Sequence, residues 1–302
     1  MGKNHARIYS QISHLVAVSD IDEKAGLQIS KKYNAKFYSN YLSLLAIEEP
    51  HVVSVAVPSH IHKEIVVECL KKHIPTLVEK PIADKVVDAR VMIEEAEKYK
   101  TLLMVGHTER FNPAVIQLKK IIVAKKLGFI INLLAMRIGL HPPTNTDADV
   151  AVDLAIHDID VFNFLVDEFP IRKKIVKNKL YKKSGADSSS FILEYKKTTG
   201  IIHSNWITPT KIRKLFVSGS EGFAELDYIR QQLVLYEKVT YSKKNVNYLD
   251  VIGLSDSPQK IKYISKKEPL RQELKFFLRH HENYKYTMYA KDALKALETS
   301  LP

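Results

Sequence analysis

A chain of 302 residues is long enough for two domains of ordinary size, each with its own core. Hydrophobic residues make up 45% and charged residues 26%, a globular balance that excludes a disordered chain; the longest apolar run, residues 129–136, is too short to cross a bilayer. The single cysteine, Cys69, excludes an intrachain disulfide, and the first residues show no signal-peptide core, so a cytoplasmic protein without membrane attachment is expected. The formal charge of +12 invites a nucleic-acid partner. The lysines, however, come as scattered doublets such as Lys31-Lys32, Lys119-Lys120 and Lys266-Lys267, without an aromatic-interleaved stripe, and read as solvated faces; no nucleic acid is expected.

From residue 14 to 107, short apolar runs alternate with amphipathic ones, the signature of a parallel sheet covered by helices. Strands are predicted at 15–18, 52–57, 76–78 and 102–105, each a continuous apolar run as a buried parallel strand requires. Helices are predicted at 22–33, 41–47, 60–72 and 85–99, the last with Asp84 as N-cap. After Pro113 come a helix to about 126, a long strand at 129–138 and a polar loop holding His141-Pro142-Pro143. The helix carrying Asp153 and His157 follows. Residues 171–240 read as antiparallel strands with turns at 198–200 and 219–222, and helices at 268–282 and 288–300 close the chain. The fold class is therefore α/β: a Rossmann-type domain over 1–115, then an α+β domain over 116–302 with an open, mostly antiparallel sheet.

A dinucleotide fingerprint needs a strand, a Gly-x-Gly-x-x-Gly turn and a helix whose N-terminus faces the pyrophosphate. Only its tail is visible here, as Gly2 and the helix that follows. Asp20, ending the next strand, sits where an acid binds the adenosine ribose; a carboxylate there repels a 2′-phosphate and favours NAD over NADP. No apolar run precedes Gly2. That first strand is central in the 3-2-1-4-5-6 order, so its loss is expected to leave neighbouring strands unpaired. Two explanations stand open: a polypeptide that starts about ten residues earlier, with Met1 an internal methionine, or a decayed gene fragment.

Two further features suggest chemistry. Asp153 and His157, at i and i+4, share a helix face with Cβ atoms about 5 to 6 Å apart. A carboxylate can orient an imidazole, and an imidazole can accept a hydroxyl proton near neutrality. Lys80, where the strand at 76–78 ends, can lend positive charge to an oxygen. Alone, each has an ordinary explanation: a helix-face histidine, a solvated acid, a strand-end lysine. The other histidines and Cys69 lack a metal-ligand spacing, and no metal is expected.

Taken in order, Met1-Gly2-x-x-His5-x-Arg7, Val55-Ala56-Val57-Pro58-Ser59 with His62, Val78-Glu79-Lys80-Pro81, Gly106-His107-x-x-Arg110-Phe111-Asn112-Pro113, Asp153-Leu-Ala-Ile-His157-Asp158-Ile-Asp160 and Trp206-Ile-Thr-Pro-Thr-Lys211-x-Arg213 make a pattern. Over nearly its whole length the chain resembles the glucose-fructose oxidoreductase, inositol dehydrogenase and rhizopine-catabolism (Gfo/Idh/MocA) family of NAD(P)-dependent sugar oxidoreductases. The resemblance implies a catalytic set of Lys80, Asp153 and His157. It implies cofactor contacts from Gly2, Asn4, His5, Asp20, Pro58, Ser59, His62, Glu79 and Lys80, substrate contacts from Arg110 and Asn112, and a cis Lys80–Pro81 bond. It further implies oxidation of a secondary sugar hydroxyl and a homodimer or homotetramer. The nearest branch oxidises UDP-N-acetylglucosamine at C3; an inositol 2-dehydrogenase-like enzyme is the alternative, and an idle NAD or sugar sensor a third reading if the chain truly begins at Met1.

Overall fold

The computed structural model describes residues 1–139, 149–180, 185–238 and 259–302. The polar loop with His141-Pro142-Pro143 lies outside the described residues. The chain divides into two compact units, Met1–Thr108 with Glu268–Glu298, and Glu109–Lys267 with Thr299–Pro302. The division thus falls after Thr108 instead of near 115, and most of the closing helical segment belongs with the first unit. Periodicity assigns a helix its type but not the core against which its apolar side packs. No helix among the described residues is long and apolar enough to cross a membrane.

In the first unit, α1 (Gly2–Ile12), β1 (Ala17–Ser19), α2 (Glu23–Tyr33), β2 (Lys36–Tyr38), α3 (Tyr41–Glu48), β3 (Val53–Val55), α4 (His62–Lys71), β4 (Thr76–Glu79), α5 (Val86–Lys98) and β5 (Leu103–Gly106) alternate as expected of a Rossmann-type fold. The parallel strands form two sheets, β1-β2 and β3-β4-β5. β1 bonds only β2 and β3 bonds only β4, so each leaves one edge without a strand partner among the described residues. Burial follows the break. β4 and β5 are buried throughout, whereas β1 is half-buried along its length.

Local chemistry sets several boundaries. Asp22 caps α2 by accepting the Ala25 amide at 3.0 Å, and Asn40 caps α3 by accepting that of Leu42 at 2.8 Å. Asp84 does not cap α5; Lys85 holds that position without a side-chain bond. The short β2 escaped the sequence reading because Lys36-Phe37-Tyr38 has too few apolar residues to show a period. Cys69 is buried with Leu45 and Ile74, as a small hydrophobe. Later in the unit α8 (Pro269–His280) is tied to α1 by the Arg7–Glu268 ion pair.

Among its described residues the second unit holds α6 (Pro113–Val123), α7 (Ile156–Val166) and eight strands: β6 (Ile130–Ile138), β7 (Arg172–Asn178), β8 (Ser188–Glu194), β9 (Thr199–Asn205), β10 (Ile212–Gly219), β11 (Gly222–Asp227), β12 (Gln232–Glu237) and β13 (Gln259–Lys262). Their order is β13-β12-β11-β10-β6-β9-β8-β7, antiparallel except where β6 meets β9. The predicted turn at 219–222 is present; the one at 198–200 falls earlier, since Thr199 and Gly200 already belong to β9. Gly139 has φ +135, and a Cβ there would lie 2.6 Å from the Thr210 carbonyl oxygen, so the position just after β6 requires glycine. The final helix, α9 (Met288–Ser300), ends the chain's regular structure.

Candidate active site

In the first unit the candidate residues gather at the carboxyl ends of the parallel strands, where open α/β sheets bind ligands. Gly2 begins α1 and is exposed; a Cβ there would meet only Ala56 at 3.9 Å, so nothing in the chain itself demands glycine. Asn4 is exposed one turn on. Asp20 follows β1, also exposed, with Oδ1 accepting the Asp22 amide at 3.0 Å. Pro58 is exposed and Ser59 half-buried in the turn after β3; Lys80, half-buried, follows β4, and its bond to Pro81 is cis.

Three other candidates face inward. His5 is 3% exposed and Glu79 6%, and the His5 Nε2–H donates to Glu79 Oε1 at 2.8 Å. Ser54 Oγ lies within bonding distance of His5 Nδ1 at 3.2 Å and of the Tyr9 hydroxyl at 2.9 Å, while the Lys80 amide donates to Glu79 Oε2 at 3.3 Å. Burial pushes the Tyr9 phenol well above its ordinary range and keeps it a donor. Gly106 backs this carboxylate, for a Cβ there would come within 3.3 Å of it. His62 sets its ring nitrogens against the carbonyl oxygens of Val57 at 2.9 Å and Pro81 at 3.1 Å. Burial lowers its basicity in spite of those carbonyls. His5, His62 and Glu79 therefore brace the strand ends from inside, whereas Gly2, Asn4, Asp20, Pro58, Ser59 and Lys80 are exposed or half-buried.

In the second unit Ala151–Ala155 wind as a π-helical turn that runs into α7, so Asp153 and His157 straddle a π-to-α junction instead of one regular α-helix. Such turns recur at functional sites. Both side chains are half-buried. The next acids on the same helix are fully buried and engaged. Arg137 donates from Nε to Asp158 Oδ2 at 2.6 Å, from Nη2 to Oδ1 at 3.0 Å and from Nη1 to Glu109 at 3.1 Å, with its guanidinium 4.9 Å from the Tyr228 ring centre. Burial works against that charge, yet Asp158 and Glu109 outweigh it and hold Arg137 above its ordinary range.

Arg110 makes a matching fork to Asp160 with both bonds at 2.7 Å and lies over Phe164. Asn112 accepts the Ala114 amide and donates to Glu109 and to the Tyr228 carbonyl. Arg110 and Asn112 are thus buried and bonded within the second unit, Arg110 to Asp160 of α7 and Asn112 at the start of α6.

The sequence reading overlooked Arg137, Glu109, Asp158 and the mutual bond of His5 and Glu79. A signal was available: Arg137 lies inside an apolar strand, and Asp158 and Asp160 inside an apolar helix, where an unpaired charge would be costly.

Residues 1–107 match a family described as an oxidoreductase family with an NAD-binding Rossmann fold. A UDP-N-acetylglucosamine 3-dehydrogenase of Acidithiobacillus ferrooxidans is 23% identical over 238 residues, 79% of this chain and 74% of that protein. An inositol 2-dehydrogenase of Rubrobacter xylanophilus is 29% identical over 162 residues, 52% of this chain and 46% of that enzyme, so the match spans about half its length. A crystal form of the Acidithiobacillus enzyme superposes with TM-score 0.86 at 21% identity, over 99% of this chain and 92% of that one. A levoglucosan dehydrogenase, solved with NADH and levoglucosan, gives 0.80 at 15% identity over 100% and 95%. At these identities the solved structures establish the fold.

Proposed function

We propose that this chain, a member of the Gfo/Idh/MocA oxidoreductase family, oxidises a secondary hydroxyl of a nucleotide sugar in the cytoplasm, with NAD as cofactor and Lys80, Asp153 and His157 as the reacting side chains. The observation that carries this reading is a partition by accessibility. Lys80, Asp153 and His157 keep partly open side chains, while Glu79, Asp158 and Asp160 beside them are buried in bonds to His5, Arg137 and Arg110. Charges that hold the fold lie inside; those suited to chemistry remain reachable.

The residues present fit NAD. Gly2 leaves room at a helix N-terminus suited to a pyrophosphate. Asp20 offers an open carboxylate to ribose hydroxyls and opposes a 2′-phosphate, which favours NAD over NADP. Pro58, Ser59 and Lys80 follow the next strands at the same end. When bound, the nicotinamide supplies an acceptor for hydride. His157 takes the hydroxyl proton, Asp153 orients the imidazole, and Lys80 places positive charge on the oxygen as its bond to carbon shortens.

The open face of the second sheet supports a homodimer or homotetramer. Along one row, Ile192, Ile201, Leu134, Phe216, Glu225, Val234 and Ile261 stand in register across seven strands. Ile192 is 50% exposed and Ile261 65%; a row that is apolar except at Glu225 suits burial against a second copy. Phe216→Glu should lower the mass measured by light scattering.

The functional test is NADH formation by the purified chain with UDP-N-acetylglucosamine and with myo-inositol. Turnover of the nucleotide sugar supports the reading. Turnover of myo-inositol alone would favour an inositol dehydrogenase, the alternative kept open by the similarity to the Rubrobacter enzyme.

A further inference from the structure

Along the inner face of the second sheet, Arg213 on β10 stands opposite Arg137 on β6 in antiparallel register. The two arginines are provided for differently. Arg137 has Asp158 and Glu109 within bonding distance. Arg213 bonds no carboxylate; its Nη1 donates to the carbonyl oxygens of Ile138 at 2.6 Å and Ile212 at 3.0 Å. Its Nε–Nη2 edge, the one that meets a carboxylate or phosphate with two parallel bonds, has no acceptor among the described residues.

The side chain is half-buried, so its charge is not simply left to water. Burial and the neighbouring Arg137 cation bring Arg213 down to about 10, against the pull of Asp158, Glu109 and Asp153. A guanidinium this poorly compensated favours an incoming anion. That Asp153 acts on it places Arg213 within electrostatic range of the π turn carrying the candidate reacting carboxylate. The adjacent Lys214 is already committed, since it pairs with Glu225 at 2.5 Å. Lys211 is exposed two residues upstream and adds positive potential. Trp206, packed with Val150 and Ala186, fixes the start of the segment.

We propose that Arg213 is a specificity-determining residue that receives a pair of anionic oxygens of the substrate, so that the sugar oxidised by this chain carries a diphosphate or a carboxylate. This rests on the dehydrogenase reading above and narrows its substrate to an anionic class, excluding a neutral polyol. A diphosphate and a carboxylate present the same fork of oxygens, and the test separates them.

Wild type, Arg213→Met and Arg213→Lys are compared in two ways: NAD-dependent kcat/KM with a UDP-sugar, a free uronic acid and myo-inositol, and calorimetric binding of UDP and glucuronate without NAD. Loss of a charge-assisted fork should lower kcat/KM for the anionic substrate, and affinity for the matching ligand, by roughly tenfold to hundredfold in Arg213→Met. Melting temperature and NAD affinity should hold. Arg213→Lys, which keeps the charge without the fork, should fall between and carries the test if the methionine variant does not fold. A loss confined to UDP ligands identifies the diphosphate; one confined to glucuronate identifies the carboxylate. Unchanged binding of both ligands in folded variants overturns the proposal, as does wild-type turnover of myo-inositol in preference to both anionic sugars. If wild type oxidises no sugar, the dehydrogenase reading fails, while the calorimetric comparison still decides the role of Arg213.

Discussion

The two units treat their sheets in opposite ways. Among the described residues, the five parallel strands of the first fall into pieces of two and three, whereas the eight strands of the second form an unbroken ladder. Paired strands fix side chains through backbone bonds, so the second unit can seat charge inside its inner face and hold it with short ion pairs. The first unit lacks that continuity. It ties its strand ends together through side chains instead: Tyr9, Ser54, His5 and Glu79 link α1, β3 and β4, and His62 links the turns after β3 and β4. The contrast also separates residues that hold the fold from those left open for chemistry.

The largest expected effect tests that separation on the second unit. His157→Ala should depress turnover by about 10²–10⁴-fold, the usual worth of a positioned proton acceptor, with the urea midpoint unchanged. Breaking the scaffold should do the reverse. Arg137→Met strands Asp158 and Glu109 without their cation, and loss of one partner from a buried pair costs about 3–5 kcal/mol, read by urea unfolding. In the first unit, His5→Leu leaves Glu79 without its ring donor and should cost about 1–3 kcal/mol, with NAD affinity preserved in the folded fraction. A selective loss of NAD affinity would return His5 to the cofactor.

The smallest effect is one of pH. Burial holds the folded-state pKa of His62 below its ordinary value, so below about pH 6.5 the unfolded chain binds a proton that the folded chain refuses. Stability of the first unit should therefore fall as pH drops through that region and level off beneath the folded value. Urea midpoints at neutral and mildly acidic pH check this, and His62→Gln should flatten the slope.

Much of this architecture was legible in the sequence, for reasons that also mark where reading stopped. Continuous apolar runs identified β3, β4 and β5, because strands buried on both faces have few polar positions; β2, with three residues, carried no period. The π turn was not legible, since its spacing of Asp153 and His157 also suits an ordinary helix. Nor were the destinations of His5, His62, Arg110 and Asn112: a motif names the residue type at a position, whereas only three-dimensional packing shows whether its polar atoms turn inward. Glu79 and Lys80 are chain neighbours with opposite fates, one buried against His5 and one left partly open.

That pair offers the most direct test. Turnover with NAD and a nucleotide sugar, measured together with NAD affinity and melting temperature for Lys80→Met, isolates the open member. The expected result is a loss of turnover of about 10²-fold or more with the other two quantities unchanged, as for removal of a preorganised charge at a reacting oxygen. Near-wild-type turnover would contradict the account.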